Sequence, residues 1–322
     1  MTTSWFEDAQ AFLRGQNEYW RQVNESEGFD LEGILAPPGT TGLMIHNCKD
    51  EFGLRWDYRV DLYAKLGLHR YNMLKGTNFQ LDELIKFNML MNMVSAYHIT
   101  LVASDPASGS VLTFQVKVEE HMVNRLNVTV SIARPKGTIE PLPLLDDLKA
   151  DRAHHELYDD NGLSQWPSED AFNDTKRFYM VEESELQDTD WIRLYLELVL
   201  CSKDRRLRAS DLSMLKIVKV AVETSDEDVE PPNERLNAKT ASFYITFHLA
   251  IWGIREDVER RAIVRRVLSR TGNLILLDTL TPFKKDTGLN KRIMEASMAD
   301  RLAAATNPSM FCSRRGIISP PS

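Results

Sequence analysis

Between Ser4 and Val23 the apolar residues Trp5, Phe6, Ala9, Phe12, Leu13, Tyr19, Trp20 and Val23 recur close to the 3.6-residue helical period, which predicts an amphipathic helix weakened only by Gly15. Its aromatic stripe reads first as a face docked on the protein's own sheet; a partner-binding face carried by Trp5, Phe12 and Trp20 is the other reading. Pro37, Pro38, Gly39 and Gly42 then forbid a regular element and predict a surface connection. Asn47 or Asp50 is placed to cap a second helix whose apolar face is Phe52, Trp56, Val60, Tyr63 and Leu66. Gly67 is the predicted terminator of that helix, with a strand from His69 to Phe79 following directly. A helix handed straight to an antiparallel strand suggests a sheet wrapped round a helix.

Leu84 to Val94 is apolar but interrupted by Asn88 and Asn92, and fits a strand and a short helix equally. Tyr97–Val102, the turn residues Asp105–Gly109 and the alternating Val111–Val118 predict a hairpin, and Asn127–Ala133 a further strand ended near Pro135. Ile192, Leu194, Leu196, Leu198 and Leu200 alternate with other residues, which predicts a strand over Trp191–Leu200. Strands are also predicted at Leu215–Val222, Phe243–Leu249, Ala262–Leu268 and Asn273–Leu277. Residues 97–101, 115–118 and 126–132 correspond in order and spacing to 243–247, 263–267 and 274–279. That suggests two related sheets, with chance similarity of β-rich segments as the other explanation.

Composition changes the picture in three places. The formal charge of -8 is uneven: Asp146 to Asp190 carries fourteen Asp/Glu against four Lys/Arg, and Arg255 to the end carries thirteen Lys/Arg against seven Asp/Glu. Cys48, Cys201 and Cys312 are odd in number and widely spaced, so neither a disulfide framework nor a zinc site is indicated. The acidic N-terminus has no signal-like apolar core, and Phe243–Ile254 is too short to span a bilayer, so the expectation is a nuclear or cytoplasmic protein, not a secreted one. His154 and His155 lie among carboxylates without ligand-type spacing, His248 reads as a packed strand histidine, and Lys203, Arg205, Arg206 and Arg208 read as a solvated turn. No phosphate loop, nucleophile elbow or catalytic pair is present, which favours a binding protein over an enzyme.

Two resemblances carry the rest. Leu62–Thr77 is similar to the helix end and first inhibitory loop of plant cystatins, with Asn72-Met73-Leu74-Lys75-Gly76 standing where those proteins have Q-x-V-x-G; asparagine replaces the glutamine and leucine the valine. Five ordered blocks, Tyr19-Trp20 through Ser26-Glu27-Gly28-Phe29-Asp30, Lys75-Gly76-Thr77-Asn78, Ser131–Pro135, Pro231–Leu236 and Thr271-Gly272, resemble the plant, mainly crucifer, male-sterile-five or UPF0725 family of cystatin/monellin-like proteins. The resemblance implies an α+β fold of cystatin-like antiparallel sheets wrapped on helices, in two related halves. The expected layout is 1–48 helix and connection, 49–140 first unit, 141–186 acidic linker, 187–283 second antiparallel unit and 284–322 C-terminal helix and tail. The expected role is non-enzymatic protein binding, through Asn72 to Gly76 or Trp5, Phe12 and Trp20, with a part in male meiosis or pollen development; a cystatin-type inhibitor of cysteine proteases is the alternative. Neither metal nor small-molecule cofactor is expected, and the expected partners are proteins, not nucleic acid or membrane.

Overall fold

The computed structural model describes residues 2–49, 56–139, 165–224, 231–249 and 259–279, with side chains from residue 9 onward except those of 188 and 279. In chain order the elements are α1 (Thr2–Glu25), β1 (Met44–Asn47), α2 (Arg59–Lys75), β2 (Gln80–Met89), β3 (Ala96–Asp105), β4 (Ser110–Glu120) and β5 (Asn127–Pro135). There follow β6 (Phe178–Met180), α3 (Glu183–Asp188), α4 (Asp190–Lys203), β7 (Lys216–Thr224), β8 (Thr240–His248), β9 (Arg260–Leu268) and β10 (Leu274–Thr279), with 3-10 turns at Glu169–Asn173 and Pro232–Asn237.

The strands form one ten-stranded sheet in the order β1-β2-β3-β4-β5-β10-β9-β8-β7-β6, with every neighbouring pair antiparallel. Each of two helices, α2 and α4, precedes a four-strand meander, and the meanders meet where β10 pairs with β5, Leu274 opposite Val130 and Leu276 opposite Val128. Alternation along the strands sends Ile99, Leu101, Val116 and Val118, and likewise Phe243, Ile245, Val264 and Leu276, to the face that α2 and α4 cover. Those residues and Leu62, Leu66, Leu196 and Leu198 of the helices make one continuous core, each fully buried leucine contributing roughly 1.5–3 kcal/mol. On the opposite face Phe172, Phe178, Tyr244 and Ile263 pack together beside Trp166, so part of the stretch expected as an acidic linker is built into the sheet. Residues 141–164, with His154 and His155, and the expected tail 284–322 with Cys312 lie outside the described residues.

Five expectations are corrected. The helix does not stop at Gly67 but runs to Lys75, and His69–Phe79 is not a strand: β2 begins at Gln80. Gly67 is there for packing, because a Cβ at that position would collide with the Val116 side chain of β4. The true terminator is Gly76, in the left-handed conformation (φ 64°), whose N–H donates to the Asn72 carbonyl. The ambiguous run from Leu84 is a strand as far as Met89. Asn47 lies in β1 instead of capping a helix.

The largest correction is Trp191–Leu200, which is helix α4 and not a strand. This helix lies beside α2 and against β9 of the sheet, and buries Ile192, Leu194, Tyr195, Leu196, Leu198, Val199 and Leu200. A helix buried on all but one narrow face fills the positions of a two-residue period as readily as those of a 3.6-residue one. The helical cues were the leucine-rich composition and Arg193, whose Nε donates to Glu197 one turn on at 2.9 Å. Helix α1, expected to dock on the sheet, is instead held by the connection that follows it: Tyr19 and Val23 pack with Leu31, and the Leu43 N–H donates to the Tyr19 hydroxyl at 2.8 Å.

Candidate protein-interaction surface

Asn72, Met73, Leu74, Lys75 and Gly76 form the last turn and cap of α2, so no protruding loop exists there. Asn72 acts as an internal clamp: its Nδ2 donates to the Phe79 carbonyl at 2.9 Å, and its Oδ1 accepts from the Thr77 hydroxyl and the Phe79 N–H, both at 2.9 Å. Met73 packs against the core, whereas Leu74 and Lys75 are exposed. The aromatic stripe of α1 is divided. Trp20 lies edge-on to Tyr19 at 5.1 Å and is partly buried, Phe12 is exposed near Gly39, and the Trp5 side chain lies outside the described residues.

Residues of the blocks that carry the family resemblance fasten separate segments of the chain. Arg134 pairs with Glu27, Lys86 and Lys136 donate to Asp30 at 3.1 and 3.0 Å, and Asn88 Nδ2 donates to the carbonyls of Gly28 and Phe29 at 2.7 and 2.9 Å. Gly28 (φ 79°) has no room for a Cβ against the His98 ring, which lies edge-on to Phe29 at 5.5 Å. Arg70 Nε donates to the Gly272 carbonyl at 2.7 Å. Arg266, 1% exposed, donates to the carbonyls of Leu236 and Ala238, both at 2.6 Å, and lies over the rings of Trp191 and Phe243. A buried cation is costly unless its donors are met; here Nη2 has two carbonyl acceptors and the guanidinium lies over two ring faces, while the buried Nε has no hydrogen-bond partner.

Chemistry-bearing groups converge at the opposite end of the helix pair, beside the β2–β3 and β4–β5 hairpin loops. Because β3 and β4 are adjacent antiparallel strands, loops 90–95 and 121–126 emerge side by side. Glu120, at the end of β4, accepts from Arg59 at 2.6 Å, the Tyr63 hydroxyl at 2.7 Å, Arg205 at 3.1 Å and the Ser95 N–H at 3.3 Å. Arg205 also donates to the Met93 carbonyl at 2.5 Å, tying the end of α4 to the first loop. Asp278 of β10 pairs with Lys203 at 3.3 Å and Arg125 at 3.6 Å. Burial raises its carboxyl above the usual range, against the lowering effect of Lys203 and Arg125. Burial, then Glu120, pushes the Tyr63 hydroxyl well up, and burial with the same carboxylate moves Tyr97 to about 12. Lys203 and Arg205, expected in a solvated turn, are therefore internal partners, whereas Arg206 and Arg208 are exposed.

Above these groups is a small, partly open depression with room for about one water, lined by Arg59, Glu120, Met122, Arg125, Ser202 and Arg205, among others. Its surroundings are apolar and exposed: Met91 is 66%, Met93 70% and Met122 39% accessible. Sequence reading missed this surface. The signal was the run Leu84–Val94, whose apolar character continues past the strand end at Met89 into the loop. The guanidiniums of Arg59, Arg125 and Arg205 are engaged with internal acceptors, so what the arrangement offers a partner is apolar contact through the thioethers. The thiols of Cys48 and Cys201 are each pushed up to about 12, chiefly by burial, so they are protonated at neutral pH. Among the described residues no group of three or more His, Cys, Asp or Glu is placed to hold a metal ion, and no helix is long and apolar enough to cross a membrane.

Comparison with known proteins bears out the family resemblance. Residues 163–277 match a family model described as Protein MS5. The Arabidopsis thaliana UPF0725 protein At3g19520 is 45% identical over 298 residues, covering 89% of this chain and 95% of the relative. UPF0725 protein At1g02770 from the same plant is 50% identical over 264 residues, covering 80% of each. A crystal structure of MS5 from Brassica napus is 33% identical and superposes with a TM-score of 0.55, covering 70% of this chain and 98% of that one. Identity of this extent over most of both chains has one meaning: the chain belongs to the UPF0725/MS5 family of plant proteins.

Proposed function

We propose that this chain is a non-catalytic protein-interaction protein that uses the paired loops 90–95 and 121–126, and that it acts in male meiosis or pollen development. The observation that carries the reading is a division of labour among side chains. Asn72, Arg70, Arg134 and Arg266 are engaged in fastening one segment to another, while Met91, Met93 and Met122 are offered to solvent on two adjoining hairpins. Exposed apolar side chains grouped at one place mark interaction sites more often than isolated ones do. The part in male meiosis or pollen development rests on the family resemblance. We further read the repeated unit of helix and four-strand meander as two related cystatin-like halves; the equivalence of 97–101 with 243–247 on β3 and β8, and of 115–118 with 263–267 on β4 and β9, supports it.

The test is affinity capture from flower buds with the full chain and with the triple variant Met91→Ser, Met93→Ser, Met122→Ser. The reading expects a reproducible set of captured proteins that the triple variant loses. An identical set from both proteins, or none from either, rejects it.

A further inference from the structure

We infer that residues 26–32 form a strap that acid opens: at neutral pH it fastens the N-terminal helix and its connection to the sheet, and a proton on His98 releases them as one piece. This device is separate from the methionine loops. Its first support is that the fastened piece has a small core of its own. Tyr19, Val23 and Leu31 pack with Trp20, Ile34, Ala36 and Leu43, apart from the core under α2 and α4, and the Leu43 N–H donates to the Tyr19 hydroxyl at 2.8 Å. The next residue begins β1, which is held by its own ladder to β2: Met44 lies opposite Met89 and His46 opposite Phe87, with the last two rings stacked at 4.5 Å. Breaking the strap therefore frees the chain up to Leu43 without opening the sheet.

The second support is how the strap is fastened. Ile99 and Leu101 face the helices, so His98 and its ladder neighbours Asn88 of β2 and Lys117 of β4 face the other way. On that side Asn88 Nδ2 donates to the Gly28 and Phe29 carbonyls at 2.7 and 2.9 Å, and Phe29, 0% exposed, lies edge-on to the His98 ring at 5.5 Å. Glu27 pairs with Arg134, Asp30 with Lys86 and Lys136, and Glu32 with Lys86; these carboxylates are 46%, 44% and 63% exposed, where water and salt weaken them. The closed strap also leaves His98 Nδ1, Asn88 Oδ1 and Arg134 Nε buried without a hydrogen-bond partner, a cost that water would remove. Burial of Phe29 is thus set against several opposing terms, and one proton can decide. Burial, then Lys117, lowers the His98 pKa to about 4, against the Glu27 carbonyl and the carboxylates of Glu119 and Glu27; its neighbours Asn88 and Thr100 carry no charge. A ring in water titrates near 6.5, so the closed strap is favoured above that pH and the open one gains as pH falls toward 4. Asp30 takes no part: burial raises its carboxyl, but Lys136 and Lys86 hold it below the ordinary range, and it stays ionised.

Hydroxyl-radical footprinting of the full chain reads the strap through Phe29. Phe114, equally buried but in the core under the helices, is the internal reference. Between pH 7.5 and pH 5 labelling of Phe29 should rise about thirtyfold, the ratio set by a His98 pKa of about 6.5 open and about 4 closed, while Phe114 stays protected. His98→Gln, neutral throughout, should abolish that rise. Asn88→Ala, which lets go of two strap carbonyls, should raise Phe29 labelling already at pH 7.5. Protection of Phe114 in each variant shows that the core is folded, and the contrast between Phe29 and Phe114 in the unaltered chain decides the matter even where a variant does not fold. Equal protection of Phe29 at both pH values, labelling of Phe29 and Phe114 together in acid, or a rise that persists in folded His98→Gln overturns the proposal.

Discussion

The C-terminal ends of α2 and α4 each pack against a hairpin of the sheet, yet they are finished in opposite ways. At the end of α2, Gly76 turns the chain, Asn72 satisfies the backbone of Phe79, and Arg70 is tied to the Gly272 carbonyl. At the end of α4, charge gathers instead: Lys203 reaches Asp278, Arg205 reaches Glu120, and a small, partly open depression with a methionine rim stands above them. Resemblance to an inhibitory loop drew attention to the first end, but its polar groups are consumed by the fold. The difference teaches that a motif-like string and an exposed apolar surface can sit at opposite ends of the same helix pair.

The contrast can be tested by breaking each end, beginning with the largest effect. Glu120→Ala should destabilise the protein by about 3–5 kcal/mol, because it removes the buried acceptor shared by Arg59, Tyr63 and Arg205 and leaves the Arg59 guanidinium with Asp57 alone. Urea unfolding measures this, and a loss under 1 kcal/mol would mean the network is not load-sharing as described. Asn72→Ala removes three hydrogen bonds at the other end and should cost about 2 kcal/mol by the same assay, without altering capture of partners.

Between the ends lies His69, hydrogen bonded to the Tyr195 hydroxyl at 2.9 Å and stacked on Trp191. Burial, then the positive charge of Arg266, lowers its pKa from 6.5 to about 3. The folded protein thus keeps a neutral ring while the unfolded chain takes up a proton, so this contribution to stability is lost as pH falls below 6.5. Roughly 1–2 kcal/mol should disappear between pH 6.5 and 5, and His69→Gln should flatten that slope. Asp278 acts with the opposite sign. Its folded pKa is raised, so its charge opposes folding at neutral pH and the penalty is relieved as pH falls through that value toward the ordinary carboxylate range. The smallest effect is expected from Gly76→Ala, about 1 kcal/mol, because a left-handed cap tolerates a Cβ poorly but has open space around it.

Much of the sheet was legible from alternation alone. The hairpin of β3 and β4, and strands β5, β7, β8, β9 and β10, lie where period-two polarity and turn residues put them. Elements were lost where burial erased the pattern. Helix α4 is buried on all but the narrow face of Arg193 and Glu197, so its period was hard to read, and Gly67 signalled close approach to Val116 rather than an end. The charged depression was hidden for a different reason. Arg59, Glu120, Arg205 and Asp278 are far apart in sequence, and nothing local marks a lysine or arginine as an internal partner. The methionine loops were visible only as an apolar run that overstayed its strand.

The most direct test of the central claim places a photo-crosslinking amino acid at Met93 in one protein and at Leu74 in another, both exposed positions, and irradiates each in flower-bud extract. The account predicts covalent adducts to a defined set of proteins from position 93 and none from position 74. Adducts from position 74 with none from position 93 would contradict it.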